Sequence, residues 1–266
     1  MNARDYLQAQ PLKYLPLLKY LNLYPERVTC HYADQGTSTG ILLTYKTQSM
    51  PWDSANYPQT DRVFLPVASD ERAAEILLNH FKDHYSLVSP AVFKFCEETT
   101  HAFFADQLSL HRVRTYLSYT SSRMVEQVNT KNVVVLQSVD DARLKLYACN
   151  GYTREEVLEH FANGAFSFAI YEGKEPVCAC FIYRNFDTVW EIAAVHTLEH
   201  ARRKGYARQV VASALQTVFA HGWVPRYHVD ATNTASLYLA ESLGLEPCLR
   251  FEHTLFDGIQ AWSMRR

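Results

Sequence analysis

The chain has 266 residues, enough for one large domain or two of ordinary size. Apolar residues make up 48% and charged residues 20%, a balance that fills a core and excludes disorder as the main theme. The net charge of −2, from 26 basic and 28 acidic side chains, gives no electrostatic footprint for nucleic acid or an anionic membrane. Cys30, Cys96, Cys149, Cys178, Cys180 and Cys248 have no framework spacing. Pro11, Lys13, Pro16 and Lys19 interrupt the N-terminal segment, which therefore lacks the apolar stretch of a signal peptide. No run approaches the roughly 18 apolar residues of a membrane span. A cytoplasmic protein with reduced thiols is expected.

In chain order, residues 5–23 carry helix-spaced apolar side chains, Leu12, Leu15 and Leu18 among them. Strands are predicted at 28–32 and 40–45, joined through the polar loop 33–39. Residues 50–61 are rich in Pro and polar side chains and read as loop. A strand at 63–67 precedes a helix over 70–84, with Ala73, Ile76, Leu77, His80 and Phe81 on one face. Residues 85–125 read as mixed strand and helix ending in a strand near 112–119. The polar stretch 121–131 breaks the pattern, so the expected domains are 1–125 and 126–266.

The second half alternates more sharply. Strand 133–137 is followed by helices at 140–149 and 154–163, the latter opened by the capping box Thr153/Glu156 and closed by Gly164. Strands at 166–171 and 177–183 form a hairpin, and another strand covers 188–197. A long amphipathic helix spans 203–221. Strand 227–230, helix 233–243 and strands 248–256 and 259–264 complete a β-α-α-β-β-β-α-β-α-β-β order, an α/β layer protein with helices on a central sheet.

The segment 191–207, EIAAVHTLEHARRKGYA, leads a strand into Arg202, Arg203 and Lys204, then Gly205 and Ala207, then the long helix. A helix start leaves about four amides unpaired and carries roughly half a positive charge. A diphosphate satisfies both, and Gly205 and Ala207 remove side-chain bulk from its path. The flanking cations add charge-assisted contacts. On spacing alone Arg-x-x-Gly-x-Ala also describes an exposed basic helix start. No GxxxxGK[ST] or GxGxxG is present to support ATP or a dinucleotide.

Two elements together resemble the GNAT superfamily of N-acyltransferases. The unit Val195-His196-Thr197 before Arg202-Arg203-Lys204-Gly205-Tyr206-Ala207 resembles its acyl-CoA motif. The run from Asp230 through Asn233 and Ser236 to Leu243-Gly244-Leu245 resembles its Asn-x-x-Ala/Ser…Leu-Gly-Phe signature. In wording, both are nearest the glycine N-acyltransferase-like branch. The resemblance covers about residues 130–266. It implies a GNAT-like mixed central sheet flanked by helices, preceded by a smaller α/β domain that binds substrate or is a degenerate GNAT-like repeat. It also implies a sheet splayed open between strands 188–197 and 227–230. Pantetheine would pair with the backbone of Val195 and Thr197. The diphosphate would lie on the amides of Arg203 to Arg208, with Asn233 and Ser236 facing acetyl-CoA or another acyl-CoA. An amide near Val195 would hold the thioester oxygen.

Acylating an amine whose free pKa is ~10 requires a base. Glu191, on the strand leading to the cofactor, is the leading candidate; a lone Glu on a sheet strand can instead pair with a neighbouring cation. His196 and Glu199 are alternates. The family often carries a Tyr acid seven residues after the Asn, where this chain has Ala240. Tyr238 lies roughly 200° around the helix from that position. Either another group or water serves, or the thiolate leaves unassisted. Cys178 and Cys180 read as small buried hydrophobes rather than ping-pong nucleophiles. His80/His84 and His196/His200 are each four apart but lack the HExxH glutamate or an obvious third ligand, so no metal is expected. The expected function is direct acyl transfer, most simply acetyl, from acyl-CoA to a small-molecule amine or amino-acid-like acceptor. The alternative is a CoA-binding sensor or assembly module without turnover.

Overall fold

The computed structural model describes residues 2–85, 88–123 and 128–258. The expected strand at 259–264 lies outside them. The chain divides into two compact units: one built from residues up to Tyr116 together with the segment from Leu249, the other from Leu117–Cys248. That division differs from the expected 125/126 boundary in two respects. It falls earlier, and it returns the end of the last strand to the first unit.

In the first unit, residues expected as one helix form α1 (Ala3–Gln8) and α2 (Leu15–Leu23). Pro11 cannot donate its backbone amide, and its ring obstructs a continuing helix. Strands β1 (Thr29–Gln35) and β2 (Ser38–Lys46) pair antiparallel, ending on the Gln35–Ser38 rung. The expected seven-residue loop is therefore a two-residue turn, made by Gly36 at φ 74° and Thr37. Within the expected loop 50–61 lies a short helix, α3 (Pro51–Asn56). It delivers Asp53 to Lys94, at 2.6 Å, with both side chains almost fully buried. Strand β3 (Arg62–Ala68), helix α4 (Glu71–His84) and strand β4 (Ala91–Phe95) make a β-α-β unit with β3 and β4 parallel. Asp70 caps α4 by accepting from the Ala73 amide at 2.8 Å. Helix α5 (Glu98–Gln107) and strand β5 (Leu110–Thr120) follow. The end of strand β11 (Glu246–Phe256) pairs antiparallel with β4.

The second unit begins within β5 and continues through β6 (Val134–Leu136), α6 (Asp141–Ala148) and α7 (Arg154–Ala162). The capping box at Thr153 and Glu156 forms as the sequence predicts. Next come β7 (Phe166–Glu172), β8 (Glu175–Phe186), β9 (Val189–Thr197), α8 (Tyr206–Ala220), β10 (Val224–Asp230) and α9 (Thr234–Ser242). The strand order is β5-β10-β9-β8-β7-β6. One apolar layer joins Trp190 and Ile192 of β9 to Val210, Val211, Leu215 and Leu239 of α8 and α9. Another joins Ala193 and Phe181 to Leu144, Tyr147 and Val157 of α6 and α7. The mixed central sheet with helices on its faces is the expected fold class. Among the described residues, no helix is long and apolar enough to cross a membrane.

Candidate active site

Strands β9 and β10 run parallel and pair over four rungs, from Val189–Val224 to Ile192–Tyr227. Both strands continue past that point, β9 to Thr197 and β10 to Asp230, so the sheet opens where the resemblance places a fork. A bulge marks the opening. On β8, Phe181 is opposite Ala193 and Ala179 is opposite His196, so Cys180 faces both Ala194 and Val195. Ala194 takes the left-handed conformation, φ 52°. Beyond it the Leu198 amide donates to the Val177 carbonyl at 2.9 Å. Alternation along the strand then turns the main chain of Leu198 and His196 toward β8, and that of Val195 and Thr197 toward the opened edge. The Thr197 carbonyl accepts from Arg202 Nε at 3.2 Å, while its hydroxyl donates to Cys178 Sγ at 3.1 Å. Thr197 thus offers backbone, not side chain, to the fork.

The helix beyond begins three residues later than expected. Arg203 is left-handed at φ 64°, and Gly205, at φ 77°, is the N-cap of α8. No side chain caps this end, and the Gln209 amide is the one that bonds back to the Gly205 carbonyl. The amides of Tyr206, Ala207 and Arg208 precede that first helical bond. A Cβ built on Gly205 would meet nothing within 4 Å, so the space in front of them is open. Arg202, Arg203 and Arg208 are exposed around it. Lys204 points elsewhere: its Nζ sits 2.7 Å from Glu172, whose same oxygen accepts from the Tyr206 hydroxyl at 3.0 Å. Arg208 reaches the Ser242 carbonyl at the end of α9. Open amides, cations and a residue without bulk fit the diphosphate of a CoA thioester.

On α9, the Asn233 side chain accepts from the Ser236 amide at 3.1 Å and is the helix cap. Burial pushes the Tyr227 phenol up to about 12, and Ser236 beside it acts in the opposite direction. Ala240 is fully buried and Tyr238 is 75% exposed, so Tyr238 does not substitute for the missing tyrosine.

Glu191 lies one rung before the fork, in register with Arg226. Its Oε2 accepts from Arg226 Nη1 at 2.5 Å and from Asn185 Nδ2 at 2.8 Å, with both ion-pair partners about 95% buried. Glu191 therefore does pair with a neighbouring cation. Arg226 Nη2 also donates to Ser118 Oγ and to His228 Nδ1, each at 3.0 Å. A guanidinium only donates, so Nδ1 of His228 accepts and, in the neutral ring, the proton is on Nε2. Tyr183 lies opposite Glu191 on β8, and Tyr152 is a neighbour that contributes to the shift of its phenol. Burial, first of all, raises both phenols far above their ordinary value. Sequence reasoning did not find Arg226, His228, Ser118, Asn185, Tyr152 or Tyr183. They meet through strand register across distant segments, and no local spacing signals that. His196 is half-buried, its imidazole lowered by burial and by Arg202; Glu199 is exposed.

Cys178 and Cys180 are fully buried, and burial pushes the Cys178 thiol up to about 11. The thiolate is the reactive form. Iodoacetamide at neutral pH should therefore label the exposed Cys149 of the folded chain and spare Cys178 and Cys180. Peptide mapping that finds Cys178 labelled as fast as Cys149 would contradict this. Among the described residues, one carboxylate and imidazole group lies close enough for a metal: Glu98, His101 and Glu252. Glu252 is already held by Arg112 and Arg250, whose charges oppose a cation there, and His101 Nδ1 lies 2.8 Å from it.

The chain matches the GNAT acetyltransferase family over residues 47–252 and belongs to that family. A GNAT-family acetyltransferase structure from Colwellia psychrerythraea is 10% identical at TM-score 0.62, covering 96% of this chain and 98% of that one. A GCN5-related N-acetyltransferase from Sphaerobacter thermophilus is 12% identical at TM-score 0.56, covering 84% and 81%. One from Kribbella flavida is 16% identical at TM-score 0.50, covering 97% of each. At these identities the likeness shows the fold. Comparison with curated proteins gives no match. Family and fold indicate an acyltransferase.

Proposed function

We propose that this chain transfers an acyl group, acetyl in the simplest case, from acyl-CoA directly to the amine of a small or amino-acid-like acceptor. The observation that carries the reading is the uncapped start of α8 behind left-handed Gly205, beside a strand pair that opens after Ile192 and Tyr227. The amides of residues 206–208 would take the diphosphate, with Arg202, Arg203 and Arg208 around it. The outward main chain of Val195 and Thr197 would take the pantetheine amides as an added strand. The Val195 amide, set by the bulge, would stabilise charge on the thioester oxygen. The wording of the two sequence motifs supports the glycine N-acyltransferase-like branch within the family.

For the amine's proton, Glu191 is the assigned acceptor, reached through water. Asn185 Oδ1 and Arg226 Nε are buried beside it without a protein partner, and such atoms commonly bind ordered water. Glu191→Gln should lower turnover, followed as thiol release from acetyl-CoA across a panel of amines, and leave CoA affinity unchanged. Normal turnover across pH 6–9 would remove Glu191 as the base. The second reading, a sensor that binds acyl-CoA without turnover, is favoured by one observation: Ala240 occupies the usual acid position and Tyr238 faces solvent. Thiol release with no amine in the panel, despite tight CoA binding, would select it.

A further inference from the structure

One cation of the turn before α8 already has a partner. Lys204 Nζ donates to Glu172 Oε1 at 2.7 Å, and the Tyr206 hydroxyl donates to the same oxygen at 3.0 Å. The Lys204 ammonium also sits 5.8 Å from the centre of the Tyr206 ring. Glu172 is the last residue of β7, and the turn into β8 passes through Gly173 at φ 65°. One carboxylate therefore holds the residues on either side of Gly205 and ties the turn to the β7–β8 hairpin. The bonds from Lys204 and then Tyr206 hold the Glu172 carboxyl below the ordinary carboxylate range, so it is ionised at neutral pH. That is the wrong sign to set beside a diphosphate. Paired with Lys204 its charge is cancelled, and so is that of Lys204. The exposed Arg202, Arg203 and Arg208 are then the cations left to face an anion.

We propose that Glu172 is a positioning residue that draws Lys204 away from the phosphates and so limits the grip of this chain on CoA. The proposal rests on the reading of the α8 start as the seat of the diphosphate. Its logic lies in turnover. The acyl donor and the spent CoA carry the same phosphates, so one more cation there binds both equally. Uniform binding of that kind does not accelerate the chemical step, and it slows departure of the product. Glu172 favours release over affinity.

The test is calorimetric titration of the full-length chain with CoA across a charge cycle. Glu172→Gln is nearly isosteric, and its amide oxygen still accepts from Lys204 and Tyr206, so it removes the charge and keeps the turn. It should tighten CoA by about two- to fivefold, the range that exposed ion pairs reach. Lys204→Gln leaves Glu172 uncompensated beside the phosphates and should weaken CoA by a similar factor. The double variant should bind as the parent does. These differences should fade in 1 M NaCl, where the screening length is about 3 Å; a change of loop shape would persist. In steady state, Glu172→Gln should lower KM for acetyl-CoA without raising kcat. Equal or weaker CoA binding by Glu172→Gln, a double variant as weak as Lys204→Gln, or differences that survive high salt would overturn the proposal. A parent chain that binds no CoA would remove the diphosphate seat itself, and the proposal with it.

Discussion

Gly205→Asp is expected to abolish binding of CoA and its thioesters while leaving the chain folded. The argument separates two effects. Asp tolerates left-handed φ better than most residues and is a favoured helix cap, so its cost at φ 77° is small. A built Cβ meets no neighbour there, so nothing clashes. Its carboxylate, however, occupies the ground where a phosphate would sit. Two like charges about 4 Å apart near a protein surface repel by about 4 kcal/mol, close to a thousandfold in affinity. Gly205→Ala is the control: it adds left-handed strain of about 1–2 kcal/mol but no charge, and should bind CoA measurably. Calorimetry with CoA, paired with thermal melting, separates loss of the site from loss of the fold. An Asp variant that binds as tightly as the parent would remove the front of α8 as the phosphate site.

Arg226→Ala is expected to destabilise the second unit strongly. Removing one partner of a buried ion pair strands the other, at a cost of about 3–5 kcal/mol. Glu191 would keep only Asn185 and Ser118 would lose the Arg226 donor, while His228 Nδ1 would keep the Ser118 hydroxyl 2.8 Å away. Replacing both partners with apolar residues, as in Glu191→Leu/Arg226→Met, removes the stranded charge and should restore most of the loss. Urea unfolding of the two single variants and the double variant gives the coupling energy directly. A single variant as stable as the parent would mean that this pair contributes little. The same series bears on mechanism: a double variant that folds well yet releases no thiol would assign Glu191 a role in turnover beyond holding Arg226.

The architecture was legible where periodicity is strong. The α8 stripe of Val210, Val211, Ala214 and Leu215 and the capping box at Thr153 gave their elements directly. The turn proposed for the phosphates was legible as a turn because it is local: its cations, Gly205 and the helix behind it are consecutive. What stayed hidden depends on partners far along the chain. Helix α3 looked like loop because its Pro51 and Asp53 signal turns, and only burial of Asp53 against Lys94 explains it. Arg226 looked like one more basic residue until strand register set it against Glu191. The division into units at Tyr116 and Leu249 has no counterpart in composition, because no change of composition marks Leu249.

The surplus residue at Ala194 has a consequence for how β9 can vary. Before it, Glu191 and Ala193 look toward the layer of α6 and α7; after it, Val195 packs with the layer of α8. Odd-numbered positions change sides midway, so neighbouring stretches of one strand answer to different constraints. A change at 193 therefore acts on the layer of α6 and α7, while a change at 195 acts on the layer of α8. The two layers can therefore vary separately along one strand.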